Sequence, residues 1–146
     1  MMLVDMMPEI TAIKQPTPIL LAAGMSKRMG GLNKLLLPIN GVPMVRHMAL
    51  TLVAFADVPP VVVLGHEAKR VAAALDGIAL TMITNVQYQS GQMSSVTAGL
   101  IAAGQAADYM ICLADLPLLT ALDCAALSAA HKKAGVGQIT VPVQRE

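Results

Sequence analysis

Residues 19–38 read Ile-Leu-Leu-Ala-Ala-Gly-Met-Ser-Lys-Arg-Met-Gly-Gly-Leu-Asn-Lys-Leu-Leu-Leu-Pro, and this stretch decides the fold. A short apolar run, Ile19–Leu21, opens into small residues, Ala22, Ala23, Gly24, Ser26, Gly30 and Gly31. Lys27, Arg28 and Lys34 sit within or just beyond them. A buried strand that delivers backbone N–H groups and positive charge into a glycine-containing loop is a phosphate-binding arrangement. The charge around it agrees. No acidic residue lies between Glu9 and Asp57, whereas Lys14, Lys27, Arg28, Lys34 and Arg46 all do. A solvated face ordinarily mixes signs, so this window favours an anion site.

Working outward, the pattern alternates. Residues 1–17 lack periodicity, contain Pro8 and Pro16, and read as an N-terminal extension to a domain over 18–146. Strands are expected at Pro18–Leu21, Val61–Leu64, Ile78–Ile83 and Tyr109–Ala114, with a fifth beginning over Ile139–Val143. Helices are expected from Pro43 to Ala56, from Glu67 to Leu75, from an N-cap at Ser94 or Ser95 to Gly104, and from a Thr120/Asp123 capping box to Lys133. Asn40-Gly41 predicts a turn. Strand–helix alternation of this kind gives an α/β domain, a Rossmann-like, mostly parallel sheet with helices on both faces. The chain stops at Glu146, directly after the fifth strand begins, so the reading expects a domain short of its C-terminal part.

At 146 residues there is room for one domain with a substantial core. The residues are 55% apolar, with eleven Met, two Tyr and one Phe, so the core is aliphatic and few stacking platforms are available for nucleic acid. No apolar run approaches the roughly 18 residues of a membrane span, and the N-terminus lacks a basic leader. These features point to a soluble cytoplasmic protein that engages neither membrane nor nucleic acid. Cys112 and Cys124 match no metal spacing and read as core thiols. Of the histidines, His66 closes a strand at the end where ligands bind, His47 flanks a helix, and His131 is expected on the surface.

In open parallel sheets ligands bind beyond the strands' carboxyl ends. The loop after Leu21, Gly65-His66, Asn85 with the Gly91 loop, and Asp115 all fall there. A Walker A loop is excluded because the glycine after Gly24 comes at Gly30, one position late, and Gly31-Leu32 follow it. The dinucleotide G-x-G-x-x-G is absent, with no acid about 20 residues on. What remains, L-A-A-G-x-S-x-R-M-G-x-x-N-K-L over 21–35, resembles the signature of MobA-like nucleotidyltransferases, and most nearly the molybdenum cofactor cytidylyltransferases. Gly41-x-Pro43-Met44, Gly91-Gln92-Met93-Ser94-Ser95 with Ala98-Gly99-Leu100, and Leu113-Ala114-Asp115-Leu116-Pro117 continue the resemblance in order.

The resemblance implies a nucleotide-diphospho-sugar transferase-like fold and transfer of CMP from CTP to a molybdopterin-type cofactor, with release of pyrophosphate. It implies catalytic roles for Arg28, Lys34 and Asp115. Arg28 would grip the β- and γ-phosphates with its planar fork, Lys34 would lie nearer the α-phosphate, and Asp115 would hold Mg²⁺. Leu21, Ala22, Ala23 and Gly24 would let the backbone approach the nucleotide, while Asn85, Gly91 and Ser95 would line the base and ribose. Leu-Ala-Ala-Gly is the cytidylyl form of the loop; the guanylyl form carries Leu-Ala-Gly-Gly. A molybdoenzyme or its chaperone is the partner such a product implies. Members of this family continue past this point with a glycine- and arginine-containing segment on the acceptor side. Two alternatives therefore stay open: a related transferase using GTP or a sugar or alcohol phosphate, and a nucleotide-binding protein without catalysis.

Overall fold

The computed structural model describes residues 15–25 and 31–143. The chain runs β1 (Thr17–Ala22), β2 (Pro38–Ile39), β3 (Val42–Pro43), α1 (Met44–Phe55), β4 (Val61–Leu64), α2 (Ala68–Ala74), β5 (Thr81–Thr84), α3 (Gln92–Ala103), β6 (Tyr109–Leu113) and α4 (Ala121–Ala134). The main sheet has four strands in the order β5-β4-β1-β6, every pair parallel. Ile19 stands opposite Val61 on one side and Ile111 on the other.

Strand β1 is central, and both its faces are covered. Along β1 the side chains alternate. Leu20 and Ala22 join the core made with α1, α2 and α4, through Val45, Met48, Leu52, Val71 and Cys124. Ile19, Leu21 and Ala23 join the opposite core, where α3 brings Val96, Ala98 and Ala102. Continuous apolar character in β1 and β4 is what burial on both faces demands. Gly99 lets α3 lie close on the sheet: a Cβ there would fall 2.5 Å from Ile19 Cγ2 and 3.0 Å from Val63 Cγ2.

The hairpin β2–β3 turns at Asn40-Gly41 with both residues at positive φ, 51° and 81°, the geometry that an Asn-Gly pair adopts most readily. Thr120 caps α4 by accepting from the Asp123 N–H while Asp123 Oδ2 accepts from the Thr120 N–H, so the capping box is present in full. Both cysteines are buried and free.

Several expectations are corrected. Thr17, assigned above to the extension, opens β1, and Gln15 is tied to the domain through Asp57 Oδ2 at 2.9 Å and Ser128 Oγ at 2.8 Å. Residues 1–14 lie outside the described residues. The strand expected at Ile78–Ile83 is only Thr81–Thr84, because Gly77 at φ 80° and the Ile78 N–H to Leu75 carbonyl bond hold the chain in a turn up to Ile78, and pairing begins only opposite Val61. Neither Ser94 nor Ser95 is the N-cap of α3. The helix starts at Gln92 behind Gly91, whose φ of 121° favours glycine. Residues Ile139–Val143 form no strand, and among the described residues β6 pairs only with β1. His131 is no free surface group: Nδ1 lies 2.9 Å from Thr140 Oγ1, and Nε2 lies 3.1 Å from Asp108 Oδ1.

Candidate functional site

Parallel strands all end on one side of the sheet, and there the loops after β1, β4, β5 and β6 meet. Backbone hydrogen bonds tie them together beyond the ladders. The Ala114 N–H donates to the Leu21 carbonyl at 3.2 Å, the His66 N–H to Ala23 at 3.1 Å, and the Asn85 N–H to Leu64 at 2.7 Å. Residues that are 43 and 93 positions apart in sequence thus share one rim.

A cleft of about 260 Å³ opens at this rim. One wall is Leu21, Ala23 and Gly24, continuing from β1; another is Leu113, Ala114 and Asp115, continuing from β6. Lys34 and Leu35 come from a short 3-10 turn, Lys34–Leu36, and Ser95 from α3. Lys34 Nζ lies 3.7 Å from Asp115 Oδ2, so the two charges expected at the chemistry face each other across the cleft. Among the described residues, nothing lies within 4 Å of where a Cβ on Gly24 would be. A ligand can therefore approach that backbone closely.

Three of the other expected residues, Ala22, Asn85 and Gly91, fall elsewhere. Ala22 turns into the core beneath the cleft, 1% exposed. Asn85 and Gly91 are absent from the cleft's lining. Asn85 sits behind Ser95, donating from Nδ2 to Ser95 Oγ at 3.0 Å and to Ser94 Oγ at 2.8 Å, and accepting at Oδ1 from the Gln87 N–H at 3.0 Å. Arg28 lies outside the described residues.

Six lining residues, Met25, Leu35, Tyr88, Gln92, Leu113 and Ala114, carry no site role in the sequence. Leu35, Gln92, Leu113 and Ala114 stand there only as parts of motifs. Tyr88, one of two tyrosines in the chain, stood in the polar loop between β5 and α3, and that rarity was the signal available. Its ring is packed: a Cβ on Gly65 would lie 2.7 Å from Tyr88 Cβ and 2.8 Å from Ala23 Cβ. Gly65 is therefore the space into which the Ala23 methyl and Tyr88 fit. The neighbouring His66 ring lies 6.1 Å from Tyr88, and its Nε2 is 3.3 Å from Glu67 Oε1, a partner the sequence did not reveal.

Two supports hold the charged pair. Asn33 Oδ1 accepts from the Leu35 N–H at 3.0 Å and caps the turn that presents Lys34. Its Nδ2 is buried and has no partner among the described residues. His47 Nε2 donates from α1 to the Pro117 carbonyl at 3.0 Å, bracing the loop that carries Asp115. As to a metal, no group of three or more His, Cys, Asp or Glu side chains comes together among the described residues. One half-exposed carboxylate, Asp115, is suited to a cation that keeps its waters and takes its remaining oxygens from a bound phosphate, which is the habit of Mg²⁺.

Comparison with known proteins bears on the family and the fold. A family model described as the MobA-like NTP transferase domain matches residues 18–146. A nicotine blue oxidoreductase of Paenarthrobacter nicotinovorans is 34% identical over 116 residues, which cover 80% of this chain and 57% of that protein. The bifunctional protein GlmU of Bacillus thuringiensis (strain Al Hakam) is 33% identical over 118 residues, 80% of this chain and 26% of that one. The chain thus spans little more than half of the first relative and about a quarter of the second. A solved nucleotidyl transferase from Methanothermobacter thermautotroptrophicus superposes with a TM-score of 0.71 at 25% identity, covering 79% of this chain and 57% of its own. A CMP:2-keto-3-deoxy-manno-octonic acid synthetase complexed with CTP shares the fold, with a TM-score of 0.67 at 19% identity over 82% of this chain and 48% of its own. The chain belongs to the MobA-like NTP transferase domain family.

Proposed function

We propose that the protein is a cytidylyltransferase that joins CMP from CTP to the phosphate of a molybdopterin-type cofactor and releases pyrophosphate. The observation that carries it is the Lys34–Asp115 pair facing across a cleft floored by Leu21, Ala23 and Gly24. In such a reaction an acceptor phosphate oxygen bonds to the α-phosphorus as the bond to the β-phosphate oxygen breaks. The protein's part is positioning and charge neutralisation. The backbone at Gly24 admits the nucleotide. Lys34 stabilises charge at the α-phosphate and the leaving oxygen, and Arg28 would hold the outer phosphates. Asp115 would hold Mg²⁺, which when bound neutralises phosphate charge. The choice of CTP is supported by Leu21-Ala22-Ala23-Gly24, which resembles the loop of the cytidylyl enzymes. The expected setting is cytoplasmic, with a molybdoenzyme or its chaperone receiving the product. Among the described residues no helix is long and apolar enough to cross a membrane.

Protein supplied with CTP, Mg²⁺ and the cofactor is expected to release pyrophosphate. Release with GTP instead moves the base assignment, and release with a sugar or alcohol phosphate moves the acceptor. Thermal stabilisation by CTP without pyrophosphate identifies a nucleotide-binding protein without catalysis.

A further inference from the structure

Ser95 is 4% exposed, yet it lines the cleft. Its Oγ accepts from Asn85 Nδ2 at 3.0 Å. A serine inside a helix ordinarily gives its own proton to the carbonyl one turn back. Here Ser94 Oγ reaches that carbonyl, Gly91, at 2.7 Å, and among the described residues the Ser95 hydroxyl has no acceptor. Asn85 cannot turn its amide round. Its Oδ1 is held by the Gln87 N–H at 3.0 Å, which fixes Nδ2, with two donors, toward the two serines.

Resting on the nucleotide reading above, we infer that Asn85 is a positioning residue: it occupies Ser95 Oγ as an acceptor and so presents the Ser95 proton to the cleft, where it selects an acceptor atom of the nucleotide. That atom is a carbonyl oxygen or unprotonated ring nitrogen of the base, or a ribose oxygen. Asn85 does not touch the nucleotide; it sets the polarity of the group that does. Water in the free cleft can take that proton, and a nucleotide acceptor would replace the water.

The test is a four-member cycle of wild type, Ser95→Ala, Asn85→Ala and the double variant. Each is assayed for CTP and GTP affinity by calorimetry below its melting temperature, and for thermal stability. The expected result is an affinity loss of about three- to tenfold for each single variant, the size of one hydrogen bond, and no further loss in the double. A penalty confined to CTP or to GTP places the contact on the base; an equal penalty on both places it on the ribose. Wild-type affinity in Ser95→Ala, or losses that multiply in the double, overturns the inference and leaves the nucleotide site standing. Absence of binding by the wild type overturns both. Melting distinguishes that result, because Asn85 and Ser95 still couple in stability without ligand.

Discussion

Lys34 Nζ stands 3.7 Å from Asp115 Oδ2, so the cleft's cation and its carboxylate neutralise one another in the free protein. Both side chains are nearly half exposed, 43% and 46%, and a pair so open to water contributes no more than about 1 kcal/mol to stability. Its consequence is for binding. A triphosphate must take Lys34 away from Asp115 while meeting the repulsion of that carboxylate. Asp115→Asn is therefore expected to bind metal-free CTP more tightly than the wild type while losing turnover at least about a hundredfold. Calorimetry in the presence of a chelator checks the first effect, and pyrophosphate release the second. Weaker metal-free binding by the variant would refute the repulsion.

Gly65 and Gly99 are small for different reasons, and their alanine variants separate site from scaffold. A Cβ at Gly65 meets Tyr88 and Ala23, both in the cleft wall, at 2.7 and 2.8 Å. A Cβ at Gly99 meets Ile19 Cγ2 at 2.5 Å, inside the core beneath α3. Each substitution is expected to cost about 1–3 kcal/mol by overpacking. Gly65→Ala should in addition weaken nucleotide binding measured well below the melting point, whereas Gly99→Ala should act chiefly on melting temperature. Equal effects on binding would contradict this division.

Asp123 lies at the start of α4, where hydrogen bonds from the Thr120 backbone and side chain hold its carboxyl below the ordinary value of 3.8. A carboxylate whose folded pKa is depressed stabilises the fold above its unfolded pKa, and that contribution is lost as pH falls through the folded pKa. The wild type should thus lose its stability advantage over Asp123→Asn on acidification below 3.8. Thr120→Ala, which removes the acceptor for the Asp123 N–H, should cost about 0.5–2 kcal/mol. Melting curves across the acid range check both.

Burial pushes the Cys112 thiol up to about 12, with the nearby Cys124 adding to it, and burial also raises Cys124. Thiolate is the reactive form, so neither should be alkylated at pH 8 until the protein unfolds. Mass spectrometry after iodoacetamide, with and without denaturant, reads this directly. Because the unfolded thiols ionise near 9.0 while folded Cys112 does not, stability should decline as pH rises above that value.

What was legible in the sequence is what depends on local physics. Ile19–Leu21 and Val61–Leu64 read as buried strands because continuous aliphatic runs of that length suit a sheet covered on both faces. Asn40-Gly41 read as a turn and Thr120/Asp123 as a cap because their chemistry is complete within four residues. The spaced motifs from Leu21 to Pro117 carried the family. Elements whose limits depend on neighbours were misplaced. The length of β5 is set by β4 beside it, the start of α3 by the backbone freedom of Gly91, and residues 139–143 lack a described strand to pair with.

Within the cleft the residue types from Leu21 to Asp115 were readable, but their division of labour was not. Asn85 and Ser95 are ten positions apart. Nothing in composition or periodicity tells which polar group faces a ligand and which faces another side chain, because hydrogen bonds between distant residues exist only after packing has brought them together. The sequence by itself determined the parallel α/β sheet and the family. Only the tertiary structure decided that Lys34 meets Asp115, that Tyr88 and Gln92 line the cleft, and that Asn85 stands behind Ser95.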